Sequence, residues 1–210
     1  MDPDLPAKLR LCLVELEAEA VRLIQLPSNL LLMAQLEAGS IIDRKPVDLV
    51  DLLHGVYREA QLLADGRRVL MTREDPCIVE GDRSLLKQVF VNLLSNAIKY
   101  TNGNGRIELS IQVTDRSAKV VLSDNGIGIP SSAKSRLFEP FFRADPSRTR
   151  AAGGAGLGLA ITKRIVDRHN GETIVESVEG AGTTVSVVLP LAPGTGPVTP
   201  QTYALGVTTI

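Results

Sequence analysis

Apolar residues recur near the start of the chain on alternating steps of four and three: Leu9, Leu13, Leu16, Ala20, Leu23, Leu30 and Ala34. That spacing predicts one long helix over 7–38 with the seam of a helical bundle or coiled coil. Pro27 belongs to the same series and removes a backbone donor, so a kink is expected there, with Gly39 as terminator. A helix striped in this way needs a partner, either another chain or the rest of this one. Residues 40–46 (SIIDRKP) read as a linker. A second helix over 48–64 sets Leu49, Leu52, Leu53, Val56, Tyr57, Ala60 and Leu63 at helical spacing and stops at Asp65-Gly66. Short strands near 68–72 and 77–80 lead to a strongly apolar helix over 83–100, with Asp82 at its N-cap.

Beyond residue 100 the period changes to two. Ile107, Leu109 and Ile111 form one strand set and Val120, Val121 and Leu122 another, joined by a turn at 115–117. A glycine-containing loop (124–130), a short helix near 132–138 and an irregular stretch (143–156) follow. A helix over 157–168 then precedes two closing strands near 172–178 and 183–189. Helices segregated from mostly antiparallel hairpins predict an α+β fold, a two-layer α/β sandwich preceded by the long N-terminal helix. From Pro190 the composition turns to Pro, Gly and Thr, and 191–210 reads as a disordered tail.

Composition narrows this picture. Aromatic residues make up 3% of the chain and Trp is absent, so the core must be built from Leu, Val, Ile and Ala. A net charge of −1 gives no global field toward nucleic acid or an anionic membrane, and neither is expected as a partner. Cys12 and Cys77 share no metal or redox spacing and read as small apolar core residues of a reduced compartment. The start of the chain lacks the basic-then-apolar order of a leader. Glu15, Glu17, Glu19 and Arg22 interrupt its apolar stretch, so a cytoplasmic location with no span in this chain is expected.

Four segments carry candidate chemistry. In QVFVNLLSNAIKYT (88–101), Asn92, Asn96 and Lys99 recur at i, i+4 and i+7 and share one helix face, while Val89, Leu93 and Leu94 take the core side. An amide oxygen suits Mg²⁺ and an ammonium suits phosphate, although a solvated amphipathic face would show the same pattern. SDNGIGIP (123–130) presents Asp124 at a strand end, where a carboxylate can accept from the exocyclic amine of adenine. Gly126 and Gly128 there permit close backbone approach, and a plain Asx turn is the alternative. RLFEPFFR (136–143) holds three of the four phenylalanines; Phe138 reads as core and Arg143 as a phosphate contact. GGAGLGLAITKRI (153–165) is a glycine loop running into a helix, where the amides of Gly156, Leu157 and Gly158 form an anion site. A loop of this kind is expected to accept a bulky side chain at Gly156 with little loss of stability. No G-K-[ST] occurs, which excludes a Walker loop, and no βαβ unit precedes the glycines.

In order and spacing these segments resemble the N box, glycine boxes and F box of the GHKL superfamily, in its sensor histidine kinase branch. Gly180-Ala181-Gly182-Thr183-Thr184 resembles the last glycine box. The resemblance covers about 47–190 as an ATP-binding kinase domain, and LLLMAQLEAG within 1–39 resembles the second helix of the dimerisation and phosphotransfer hairpin. It implies the Bergerat fold with ATP and Mg²⁺. It makes Asn96 the Mg²⁺ ligand with Asn92 beside it and puts Lys99 and Arg143 on the phosphates, and these four are the catalytic groups it implies. Tyr100 would lie near the adenine, Asp124 on its amine, Gly126 and Gly128 around the pocket, and Gly154, Gly156 and Gly158 in the ATP lid. Thr183 or Thr184 would line the base pocket.

Relatives that hydrolyse ATP carry a Glu four residues before the metal-binding Asn. Here that position is Asn92, whose amide cannot act as a general base, so ATP should be bound and poorly hydrolysed. The branch also requires an acceptor histidine followed by an acidic residue. His54 precedes Gly55, and His169, at a helix C-terminus where a cation is favoured, precedes Asn170. Both read as structural. The expectation is the ATP-binding half of a histidine kinase, as a fragment, a truncated product or one half of a split kinase. A histidine-bearing phosphotransfer domain and a response regulator are its expected partners, and the N-terminal helix could form a homodimer. A non-catalytic nucleotide-sensing module of the same fold is the alternative.

Overall fold

The computed structural model describes residues 7–39, 41–144 and 155–194. Helix α1 (Ala7–Glu37) runs through Pro27 without a break, and Gly39 turns the chain with φ +75°. Asp48 caps α2 (Leu49–Leu63) by accepting from the Asp51 amide. Asp82 caps α3 (Arg83–Tyr100) by accepting from the amides of Ser84 and Leu85, so the expected cap and limits of this helix hold. A short 3₁₀ helix covers Ser131–Arg136, and α4 is Gly158–Arg168. The strands are β1 (Lys45–Asp48), β2 (Arg68–Glu74), β3 (Ile78–Gly81), β4 (Arg106–Val113), β5 (Ser117–Asp124), β6 (Glu172–Val178) and β7 (Gly182–Pro190).

Five strands form one sheet in the order β2-β4-β5-β7-β6, parallel only between β2 and β4. Its register positions the site. Ile107, Leu109 and Ile111 lie opposite Asp124, Leu122 and Val120, which in turn oppose Thr183, Val185 and Val187. Directly opposed residues share a face, so one buried apolar column spans β4, β5 and β7 and ends in Asp124 and Thr183. Leu86, Val89, Phe90, Leu93 and Leu94 of α3 and Ile161, Ile165 and Val166 of α4 join the same core. The result is the expected α+β sandwich with α1 attached through Met33 and Leu36, both buried.

Three expectations are corrected. Lys45 and Pro46, read as linker, belong to β1 and pair with Gly81 and Glu80 of β3; four residues are too few for an alternation to register. Leu191 and Ala192, read as tail, pack instead. Leu191 bridges Val79, and the buried Ala192 donates its amide to the Ile78 carbonyl at 2.9 Å. The rest of that tail, from 195, lies outside the described residues. Cys12 is exposed on α1, and only Cys77 is buried, where loss of solvent pushes its thiol up to about 12.

Candidate functional site

Asp124 ends the buried column, half-exposed at the sheet margin. Its Oδ1 accepts from the Gly126 amide at 2.9 Å, and the Thr183 amide donates to the same carboxylate. Burial raises its pKa above the ordinary carboxylate value, and these two amides oppose the rise. Gly126 is required where it stands, because a Cβ would lie 2.3 Å from the Tyr100 carbonyl. That carbonyl accepts from the Ile127 amide at 3.1 Å, which ties the end of α3 to the loop. Gly128 has φ +66°, and a Cβ there would lie 2.0 Å from the Val178 carbonyl. The choice between the two threonines is one of face. Thr183 opposes Asp124, whereas the Thr184 hydroxyl bonds that of Ser123 at 2.9 Å on the opposite side of the sheet.

The end of α3 is tied to this loop at Tyr100. Asn92, Asn96, Lys99 and Tyr100 are all half-buried along its last turns. The Lys99 ammonium lies 5.0 Å from the Tyr100 ring centre. Burial raises the Tyr100 phenol, and the positive charge of Arg143 works against that rise, so the structure brings Arg143 into the same region. Asn92 Nδ2 donates to the Gly158 carbonyl at 3.3 Å and joins α3 to the first turn of α4. Leu157 buries its side chain beneath that turn and leaves its amide at the helix start. Next to it an open cleft of about 450 Å³ is lined, among the described residues, by Arg136, Pro140, Phe141, Phe142 and Arg143. The Arg136 guanidinium stacks on Phe142 at 4.4 Å.

Gly154 lies outside the described residues. Gly156 has φ +74°, and a Cβ there would meet the Phe141 carbonyl carbon at 2.8 Å, while its own carbonyl accepts from the Phe141 amide. The expected tolerance at this position is therefore corrected, because strain and contact both oppose a side chain. Phe138 is half-buried and Phe141 exposed, so the aromatic segment is less of a core cluster than its composition suggests.

The histidines hold structure together. His54 Nε2 and Glu74 Oε2 lie 2.8 Å apart between α2 and β2. His169 is fully buried; its Nδ1 lies 2.7 Å from the Ile165 carbonyl and its Nε2 accepts from the Asp82 amide at 3.0 Å. Those two bonds require a neutral ring protonated on Nδ1, and burial lowers the pKa. The cation expected at the end of α4 is thus corrected to a neutral bridge. Sequence reasoning missed Ser177, whose hydroxyl contacts both loops around Asp124; a lone serine in a strand carries no signal of this.

This combination of a mixed sheet, an amide-bearing helix on its covered face and glycine turns at a carboxylate defines a nucleotide-binding sandwich of the GHKL type. The family described as "Histidine kinase-, DNA gyrase B-, and HSP90-like ATPase" matches residues 81–193, and the chain belongs to it. It is 36% identical over 180 residues to the signal transduction histidine-protein kinase BaeS of Escherichia coli (strain K12), covering 84% of this chain and 38% of BaeS. The chain thus spans well under half the length of that relative. Among solved structures, the mycobacterial sensor histidine kinase MprB superposes with a TM-score of 0.63 at 32% identity, over 71% of this chain and 99% of the other. Full-length ShkA in complex with AMPPNP gives 0.72 at 27% identity, over 93% of this chain and 41% of the other. The chain carries an ATP-binding catalytic domain of the sensor histidine kinase class. None of its described helices is long and apolar enough to cross a membrane.

Proposed function

We propose that this chain binds Mg²⁺-ATP between α3, the glycine loops and α4, and transfers the γ-phosphoryl group to a histidine outside its own pair. The observation that carries the proposal is Asp124, held by two amides at the end of a buried column, on a loop tied to the end of α3 at Tyr100. There the carboxylate accepts from the exocyclic amine of adenine, and Thr183 borders it on the same face. Gly126 and Gly128 keep the backbone close enough to shape the base pocket, with Tyr100 beside it. Lys99, Arg143 and the amides of Gly156, Leu157 and Gly158 hold the triphosphate.

The residues present fit a magnesium ion. Among the described residues no group of three or more His, Cys, Asp or Glu could hold a metal. A single amide oxygen from Asn96 with phosphate oxygens suits Mg²⁺, which keeps most of its waters. An ion held there would supply charge neutralisation on the leaving diphosphate. Asn92, already donating to Gly158, offers no base to an attacking water. A phosphorus–nitrogen bond to the incoming imidazole therefore forms as the terminal phosphorus–oxygen bond breaks and ADP leaves. His169 is buried and His54 is paired with Glu74, so the nucleophile comes from a histidine-bearing helix of a partner or of the parent kinase. A response regulator would receive the group next, in the cytoplasm.

Calorimetric titration with ATP, with and without Mg²⁺, tests the pocket. Asn96→Ala should remove the Mg²⁺-dependent part of the affinity and leave the melting transition in place. Labelled ATP with an added histidine-bearing helix tests the transfer. Saturable binding without labelling would favour the nucleotide-sensing module, and absence of binding would end the proposal.

A further inference from the structure

The turn between β6 and β7 and the loop that follows β5 are pressed together without side chains between them. A Cβ on Gly128 would lie 2.0 Å from the Val178 carbonyl, and one on Gly182 would lie 2.0 Å from the Asp124 carbonyl. The Gly180 amide donates to the Ile127 carbonyl at 2.8 Å across the same junction. Two backbones in such close contact leave little room between them, so the polar groups turned inward at Gly182 and Ile129 need a partner from within the junction.

One side chain does this. Ser177 is buried in β6, opposite Thr183. Its hydroxyl donates to the Gly182 carbonyl at 2.8 Å, accepts from the Ile129 amide at 2.9 Å, and lies 2.9 Å from the Thr183 hydroxyl. A hydroxyl has one proton and two lone pairs, so these three contacts use its whole capacity, with the Thr183 hydroxyl as second donor. Ser177 thereby grips both ends of the segment that frames Asp124. Ile129 lies past the glycine loop, while Gly182 and Thr183 open β7.

We propose that Ser177 is the positioning residue for purine selection: it fixes the Asp124 carboxylate by clamping Ile129 to Gly182 and Thr183. This rests on the ATP-binding reading above. Ser177 itself touches no base. Its effect is to keep the carboxylate at one angle and depth, which decides how much an adenine amine gains over a guanine carbonyl at the same place. The triphosphate, held from α3 and α4, does not use this clamp.

The test compares ATP and GTP in calorimetric titrations of the full chain with Mg²⁺. Ser177→Ala should lower ATP affinity by about tenfold, the worth of one well-placed hydrogen bond. GTP affinity should change much less, so that the preference for adenine shrinks. General damage to the fold would weaken both nucleotides alike, and equal losses, or none, would overturn the inference while leaving the pocket standing. Absence of ATP binding by the parent chain would overturn the pocket and the clamp together. If Ser177→Ala fails to fold, amide exchange in the parent decides. Slow exchange of the Ile129 amide, matching that of Gly126, supports the clamp, and fast exchange at Ile129 with slow exchange at Gly126 rejects it.

Discussion

At the scale of single residues, Asp124 answers to two demands with opposite pH dependence. Binding needs the ionised carboxylate, while burial favours the neutral acid. Its folded pKa is raised above the unfolded value, so the native state takes up the proton first. Folding then gains stability as pH falls through the raised value, and at neutral pH the ionised group is a cost. ATP affinity moves the other way and should decline at a pH above the ordinary aspartate range. Asp124→Asn keeps an oxygen for the Gly126 amide but removes the charge. It should cost about 1.5–3 kcal/mol of ATP affinity, as expected for a hydrogen bond to a charged group, and flatten the acid limb. Titrations from about pH 7 down to about pH 4 check both effects against the ordinary carboxylate pKa. Affinity that matched the parent at neutral pH would remove Asp124 from the pocket.

At the scale of elements, α3 and α4 carry the site, and His169 fastens one to the other. Its Nε2 accepts the amide of Asp82, the residue that also caps α3, and its Nδ1–H stays with α4. Burial is the largest influence and lowers the pKa; the Ile165 carbonyl and Asp82 favour a charge on the ring, and Arg44 and Arg168 oppose one. The folded pKa is therefore below the unfolded one of about 6.5. The bridge's stabilisation is complete above that value and is lost as pH falls through the folded pKa. His169→Leu should remove this slope and cost about 1–3 kcal/mol at neutral pH, since the Asp82 amide loses its acceptor in a buried place. Urea unfolding at two pH values separates the effects, and an unchanged slope would assign the acid sensitivity elsewhere. The limits of α3 were legible because a cap and a helical period are local signals. His169 could not be read the same way, since its partner is 87 residues distant. The alternation in β4 and β5 likewise told which residues face inward, and the glycine boxes marked where tight loops approach Asp124. Neither could tell that Thr183 and not Thr184 opposes Asp124, because register between strands some sixty residues apart depends on the whole sheet.

At the scale of the whole molecule, α1 has two apolar faces with different fates. Met33 and Leu36 are buried against the rest of the chain, and the junction is pinned by Arg168 donating to the Leu36 carbonyl at 3.3 Å and by the Arg164–Glu37 pair. The seam visible in the sequence is the other face. Leu9, Leu13, Leu16, Leu23 and Leu30 are all exposed, Leu16 to 66% and Leu23 to 59%. A row of leucines in water along one side of a helix is a standing drive toward association, and the four-three spacing suits a second helix of the same kind. The homodimer expected from the sequence would use that row. Each leucine fully buried contributes about 1.5–3 kcal/mol, and a symmetric contact counts every position twice. Leu16→Lys with Leu23→Lys should therefore raise the dimer dissociation constant by at least about a thousandfold, observed as a monomer mass in sedimentation equilibrium. ATP affinity should be unaffected, because the substituted positions lie on the free length of α1, beyond Met33 and Leu36. A parent chain that is already monomeric at high concentration would assign the seam to a different helix, one supplied by the partner that brings the acceptor histidine. A double variant that still dimerised would place the contact on another surface altogether.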